Sequence, residues 1–122
     1  MRQGEPVFVI SVAARLLEMH PQTLRKYERE GLIAPSRTTG NLRLYSDRDI
    51  ERLRQVKYLV EERGLNLAGV QLALELTRRL RDARERTTRD LGAGRAADAP
   101  AVIDEFDRLL AVLGVIEERR SL

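Results

Sequence analysis

The chain has 122 residues, 43% apolar but only 4% aromatic, and a net charge of +3. That length suits one compact domain plus an appendage, and a core of Leu, Val, Ile and Ala favours small helical packing units over a large sandwich. Cysteine is absent and the single histidine is His20, which excludes disulfides, thiolate metal sites, iron–sulfur clusters and cysteine nucleophiles. No constellation for a metal site or a histidine-based triad is left, so neither catalysis nor a cofactor is expected.

No stretch of apolar residues is long enough for a membrane span. The start MRQGEPVFVIS lacks the long apolar run of a signal peptide, and a cytoplasmic protein is expected. The whole charge excess falls in residues 1–65, and residues 66–122 are balanced. Between Gly31 and Asp47 there is no acid, yet Arg37 and Arg43 lie there. A basic, acid-free loop beside a helix bearing Arg25, Lys26 and Arg29 is what a phosphate-facing surface requires. Charge alone describes an ordinary solvated face equally well.

In chain order, residues 1–10 read as an arm ending in a strand-like run, Val7 to Ile10. Ser11 is a candidate N-cap for a helix over about 12–18, with Val12, Ala13, Leu16 and Leu17 at helical spacing. Met19 and His20 form a tight connection. Pro21 suits the first position of the next helix, over about 21–30, which stops at Gly31. Leu24 and Leu32 face inward, while Gln22, Thr23, Arg25, Lys26 and Arg29 face out. Two short helices and a tight turn make a helix-turn-helix. Residues 36–45, SRTTGNLRLY, alternate about a Thr39-Gly40-Asn41 turn and predict a small β-hairpin, or wing.

Ser46 and Asp49 fit a capping box. The helix behind it carries Ile50, Leu53, Val56 and Val60 on one face and ends near Gly64. Asn66 caps a further helix through Val70 and Leu74, extending into the charged stretch 78–90. Residues 92–100, GAGRAADAP, read as a linker. The last segment, 101–120, is an amphipathic helix whose Val102, Phe106, Leu109, Leu113 and Ile116 keep a heptad seam. Ile103, Leu110 and Val112 widen that stripe. Such a helix either folds back or pairs with another chain, and dimerisation is the favoured outcome. The fold expected is mainly α: an arm over 1–10, a winged helix-turn-helix domain over 11–80, a charged extension and linker over 81–100, and a C-terminal dimerisation helix over 101–122.

The segment TLRKYEREGLIAP at 23–35, with Arg37, LRLY at 42–45 and Asp49 spaced four residues before Leu53, resembles the DNA-binding domain of the MerR family. The likeness runs in order and spacing over about residues 9–77. VFVISVAARL at 7–16, MHPQTLR at 19–25 and GLNLAGV at 64–70 are similar to the HspR branch of that family, its heat-shock repressors. The resemblance implies a repressor of chaperone operons of the dnaK type that binds an inverted-repeat operator in double-stranded DNA as a homodimer. It also implies the DnaK chaperone as co-repressor and RNA polymerase as an indirect partner. The wing is poorer in glycine and arginine than the family pattern, with Leu44 where a cation is expected, and the residues after 80 carry no resemblance. Two other readings stay open: a MerR-type activator or repressor of another stress or metabolic regulon, and a protein–protein adaptor working through its C-terminal helix.

Base reading needs side chains on the exposed start of the second helix, which are Gln22, Thr23, Arg25 and Lys26. The Arg25 fork matches guanine O6 and N7. Arg37, Arg43 and Tyr45 are expected to clamp the backbone from the wing, and Lys57 and Tyr58 to reach a flanking phosphate. Arg43 resembles the family's wing arginine. Tyr27, three residues after Leu24, is expected half-buried with its hydroxyl toward phosphate, and the resemblance places it near DNA. Glu28 matches a family acid, expected to orient an arginine or cap structure rather than touch DNA.

Overall fold

The computed structural model describes residues 7–92 and 99–115. Most of the expected arm and linker, and Ile116 with the rest of the tail, lie outside the described residues. The chain forms two compact units, residues 1–58 and 59–122.

The first unit runs β1 (Val7–Val9), α1 (Ile10–Leu17), α2 (Pro21–Arg29), β2 (Ser36–Arg37), β3 (Arg43–Ser46) and then into α3 (Asp47–Glu61). The strands make an antiparallel sheet in the order β1-β3-β2. The β2–β3 pair is the expected wing, with Arg37 opposite Arg43. The β1–β3 pair extends it, setting Phe8 opposite Tyr45 and Val9 opposite Leu44. This pairing displaces the expected cap. Val9 is held extended by the sheet and the helix begins at once at Ile10, so Val9 is the N-cap and Ser11 lies inside α1. Ala13, Ala14 and Leu17 form the buried face of α1, while Leu16 is 42% exposed.

The wing tip is a turn in which the Asn41 N–H donates to the Thr38 carbonyl at 2.8 Å. Asn41 takes a left-handed conformation, φ 68°, which Asn tolerates better than most residues. Ser46 and Asp49 form the capping box: the Asp49 N–H donates to Ser46 Oγ at 3.1 Å and the Ser46 N–H to Asp49 Oδ2 at 3.0 Å. Ile50, Leu53 and Val56 of α3 are buried, as the helical spacing requires.

In the second unit the Leu65 N–H returns to the Leu59 carbonyl at 3.0 Å. Asn66 Oδ1 then accepts the Gly69 N–H at 2.9 Å and opens α4 (Leu67–Gly92). This helix does run through the charged stretch. Helix α5 (Ala99–Val112) packs along α4, and Arg84 and Asp107 join the two through bonds of 2.7 and 3.3 Å. The expected helix over 101–120 is cut short at Val112. Gly114 turns left-handed at φ 89° and the Val115 N–H bonds back to the Leu110 carbonyl at 2.9 Å, a glycine-dependent helix stop.

Candidate nucleic-acid interface

Helix α2 is set by its ends. His20 Nδ1 accepts the Gln22 N–H at 3.0 Å, which makes the lone histidine an N-cap, and Pro21 occupies the first turn. Ser, Thr, Asn or Asp is the usual signal at this position, so the sequence did not advertise the cap. At the other end Gly31 sits at φ 80° and the Leu32 N–H returns to the Tyr27 carbonyl at 2.9 Å, closing a Schellman-type stop. The inner face of α2 buries Leu24 and Tyr27. Gln22 and Lys26 are exposed, with Thr23 and Arg25 partly so. Arg25 Nη1 donates to Gln22 Oε1 at 3.0 Å. That single bond steers the fork and leaves its remaining N–H groups outward.

The wing is fastened to α2 through one acid. Glu28 Oε1 accepts from Arg43 Nε and Oε2 from Arg37 Nη2, both at 2.6 Å. Arg37 Nη1 also reaches the Asn41 carbonyl at 3.3 Å, bracing the tip. The hydrogen bond from Arg43 outweighs partial burial and holds the Glu28 carboxyl below the ordinary carboxylate range, with Arg37 adding to it. The same bond raises Arg43 further into its charged form. The acid orients arginines, two of them and on two strands. These partners lie nine and fifteen residues away, beyond any local motif.

Lys57 is a clamp within the unit. Its Nζ donates to the Leu17 carbonyl at 2.9 Å and the Glu18 carbonyl at 3.4 Å, where a cation meets the negative end of α1. It thereby supports the strained left-handed turn at Glu18, φ 54°. Arg52 Nε likewise holds the Leu32 carbonyl at 2.6 Å, just past α2.

Tyr45 requires a correction. Its side chain is 0% exposed, so its hydroxyl cannot clamp a phosphate from this conformation. Arg43 and Tyr45 stand two residues apart on β3 and so share a face of the sheet, but Tyr45 is paired with Phe8 of β1 and is buried altogether, whereas Arg43 stays partly exposed. Its hydroxyl has no hydrogen-bond partner among the described residues. Burial raises its pKa above the ordinary 10.0, while the nearby charges of Arg43, Arg25 and Arg37 oppose that and Glu28 adds to it. Tyr27 is 8% exposed, deeper than half-buried, and Tyr58 is partly exposed.

A family model described as the MerR HTH family regulatory protein matches residues 8–77. The chain belongs to the MerR family. It is a MerR-family transcriptional regulator, and regulators of that family bind DNA. Over 104 residues it is 48% identical to a Streptomyces coelicolor protein bearing the name heat shock protein HspR, covering 85% of this chain and 63% of the relative. It is 37% identical over 73 residues to the Bacillus anthracis transcriptional regulator GlnR, covering 60% of this chain and 56% of the relative. It is 33% identical to the Myxococcus xanthus transcriptional repressor CarH, covering 90% of this chain and 42% of the relative. The chain thus spans less than two thirds of the length of these curated relatives.

In this MerR-family chain the C-terminal seam is divided. Leu110 and Val115 are buried, Ile103, Phe106 and Leu113 are partly covered, and Val102, Leu109 and Val112 are exposed. The stripe turned to α4 therefore centres on Ile103 and Leu110, one flank of the heptad seam. Leu72 and Leu76 of α4 add exposed apolar surface, Leu72 at 62%. Among the described residues no group of three His, Asp or Glu side chains is placed to hold a metal, and no helix is long and apolar enough to cross a membrane.

Two outcomes follow for the first unit. A carboxyl held below its ordinary value of 4.5 stabilises the fold at every pH above that value and loses this contribution as pH falls through the folded value. Thermal melts should show stability falling on the acid side of 4.5, with a shallower acid limb in Glu28→Gln. An identical limb in the variant would contradict the assignment. Tyr45→Phe removes a buried hydroxyl without a protein partner, so its stability should be unchanged or raised by up to about 1 kcal/mol. A loss of about 1 kcal/mol or more in denaturant titration would show that the hydroxyl is bonded.

Proposed function

We propose that the chain is a sequence-specific repressor of heat-shock and chaperone genes of the dnaK-operon type, binding an inverted-repeat operator as a homodimer. The observation that carries the DNA-binding mode is the single face shared by two elements. Helix α2 offers Gln22, Thr23, Arg25 and Lys26, and the wing offers Arg37 and Arg43 beside it, tied through Glu28. Read this way, α2 enters the major groove with Arg25 toward a guanine and the wing arginines meet phosphate. Tyr27 and Tyr45 support that face from beneath. Lys57, engaged at the end of α1, and Tyr58 are read as flanking phosphate contacts. The heat-shock assignment is supported by the 48% identity to HspR over 85% of the chain. DnaK as co-repressor and RNA polymerase as indirect partner belong to that assignment. Similarity to GlnR favours a second reading, a MerR-type regulator of another stress or metabolic regulon.

Gel shifts on DNA upstream of chaperone operons, with and without DnaK, test the repressor reading. Specific retardation, tightened by DnaK, is expected; no retardation there but retardation with DNA of another promoter favours the second reading. With about eight phosphate contacts in a dimer, log K should fall with log salt at a slope of roughly −7. Arg25→Ala should cost about 1–3 kcal/mol and relax one base position. A slope near zero would sink DNA binding.

The dimer is proposed to form through Val102, Phe106, Leu109, Leu113 and Ile116, whose described members leave apolar surface outside the α4–α5 packing. Leu109→Glu places a charge on the exposed flank and leaves buried Leu110 in place. Sedimentation should show a dimer for the native chain and a monomer for the variant. A native chain that is monomeric at concentrations that saturate DNA would contradict this interface.

A further inference from the structure

We propose that Glu28 is the positioning residue of the wing, presenting the Arg37 and Arg43 guanidinium groups to phosphate in a fixed orientation and so setting discrimination between operator and other DNA. This rests on the DNA-binding reading above.

Both oxygens of the carboxylate are engaged. One oxygen holds Arg43 by Nε and the other holds Arg37 by Nη2, each at 2.6 Å. Held by Nε, the Arg43 guanidinium keeps both Nη groups for another acceptor. Arg37, held by Nη2 and braced at Nη1 by the Asn41 carbonyl, keeps N–H groups of its own. Both arginines remain partly exposed, at 33% and 26%. A long side chain that is already ordered loses less freedom on binding. The clamp also spans three elements, since α2 carries the acid and β2 and β3, opposite strands of the hairpin, carry the arginines. Phosphate register set by the wing is thereby transmitted to the base-reading helix.

Charge alone argues the other way. Residues 31–46 contain no acid, and Glu28 puts an anion in the middle of a cationic face. Removing it should strengthen attraction to any DNA by simple electrostatics. Positioning requires instead that specific affinity falls. The two accounts differ in sign.

The probe is a duplex enriched by the native full-length chain from a random-sequence pool, compared with an unrelated duplex of equal length. Glu28→Gln keeps the shape but cannot accept from two guanidiniums through two anionic oxygens. It should lose about tenfold in affinity for the enriched duplex and hold or gain affinity for the unrelated one. Arg43→Lys, which changes no net charge, should show the same loss of discrimination, and it serves if Glu28→Gln fails to fold by circular dichroism. Affinities that rise together, fall together or stay unchanged would overturn the proposal. If the native chain enriches no sequence, the DNA-binding reading falls and this inference with it. If it enriches one and the variants discriminate as the native chain does, only this inference falls.

Discussion

Two guanidiniums, from Arg37 and Arg43, meet one carboxylate, from Glu28, at 2.6 Å on either side. Without that anion the two cations would repel across neighbouring strands, and the hairpin would carry its charge away from α2. Exposed ion pairs are worth only about 0–1 kcal/mol each, so the main effect is geometric. A four-residue strand and a nine-residue helix are short, and each has few bonds with which to define an orientation. The shared carboxylate makes them one surface, and the functional reading of this MerR-family chain depends on that surface.

The orientation of α2 is built from end conditions that cost the sequence little. His20 satisfies an N–H at the start, Gly31 accepts the left-handed conformation at the stop, and Lys57 and Arg52 reach in from α3 to hold the carbonyls of Leu17 and Leu32. The bonds from His20, Lys57 and Arg52 go to backbone groups at helix ends, where the helix itself leaves them without a partner. Together they leave Gln22, Arg25 and Lys26 free of structural duty beyond the Arg25–Gln22 contact. Beneath them Tyr45 and Leu24 are wholly buried, so the face rests on packed core.

What could be read in the residues was local chemistry. The Ser46–Asp49 capping box, the Asn66 cap, the Gly31 stop and the Thr39-Gly40-Asn41 turn are all short-range patterns, and each forms as its residue types require. What escaped was long-range. Nothing in VFVIS indicates that Val9 pairs with Leu44, yet that pairing makes Val9 the cap in place of Ser11 and buries Tyr45. Glu28 could be read as an acid that orients an arginine, but its partners are set by tertiary structure. In the second unit the amphipathic period of α5 was clear. The expected helix over 101–120 runs past Val112, where α5 ends, because the apolar seam continues beyond the turn at Gly114 and periodicity alone does not register a glycine stop.

The most direct measurement is the arginine guanidinium Nε–H spectrum of the free native chain. The clamp requires a shifted Arg43 Nε–H signal that exchanges slowly with solvent at neutral pH. It should persist until acid protonates Glu28 and should be absent in Glu28→Gln. Arg29 and Arg54, exposed and without an ion pair or hydrogen bond among the described residues, supply the reference for unconstrained groups. An Arg43 signal exchanging as fast as theirs, with or without Glu28, would contradict the fixed union of α2 and the wing.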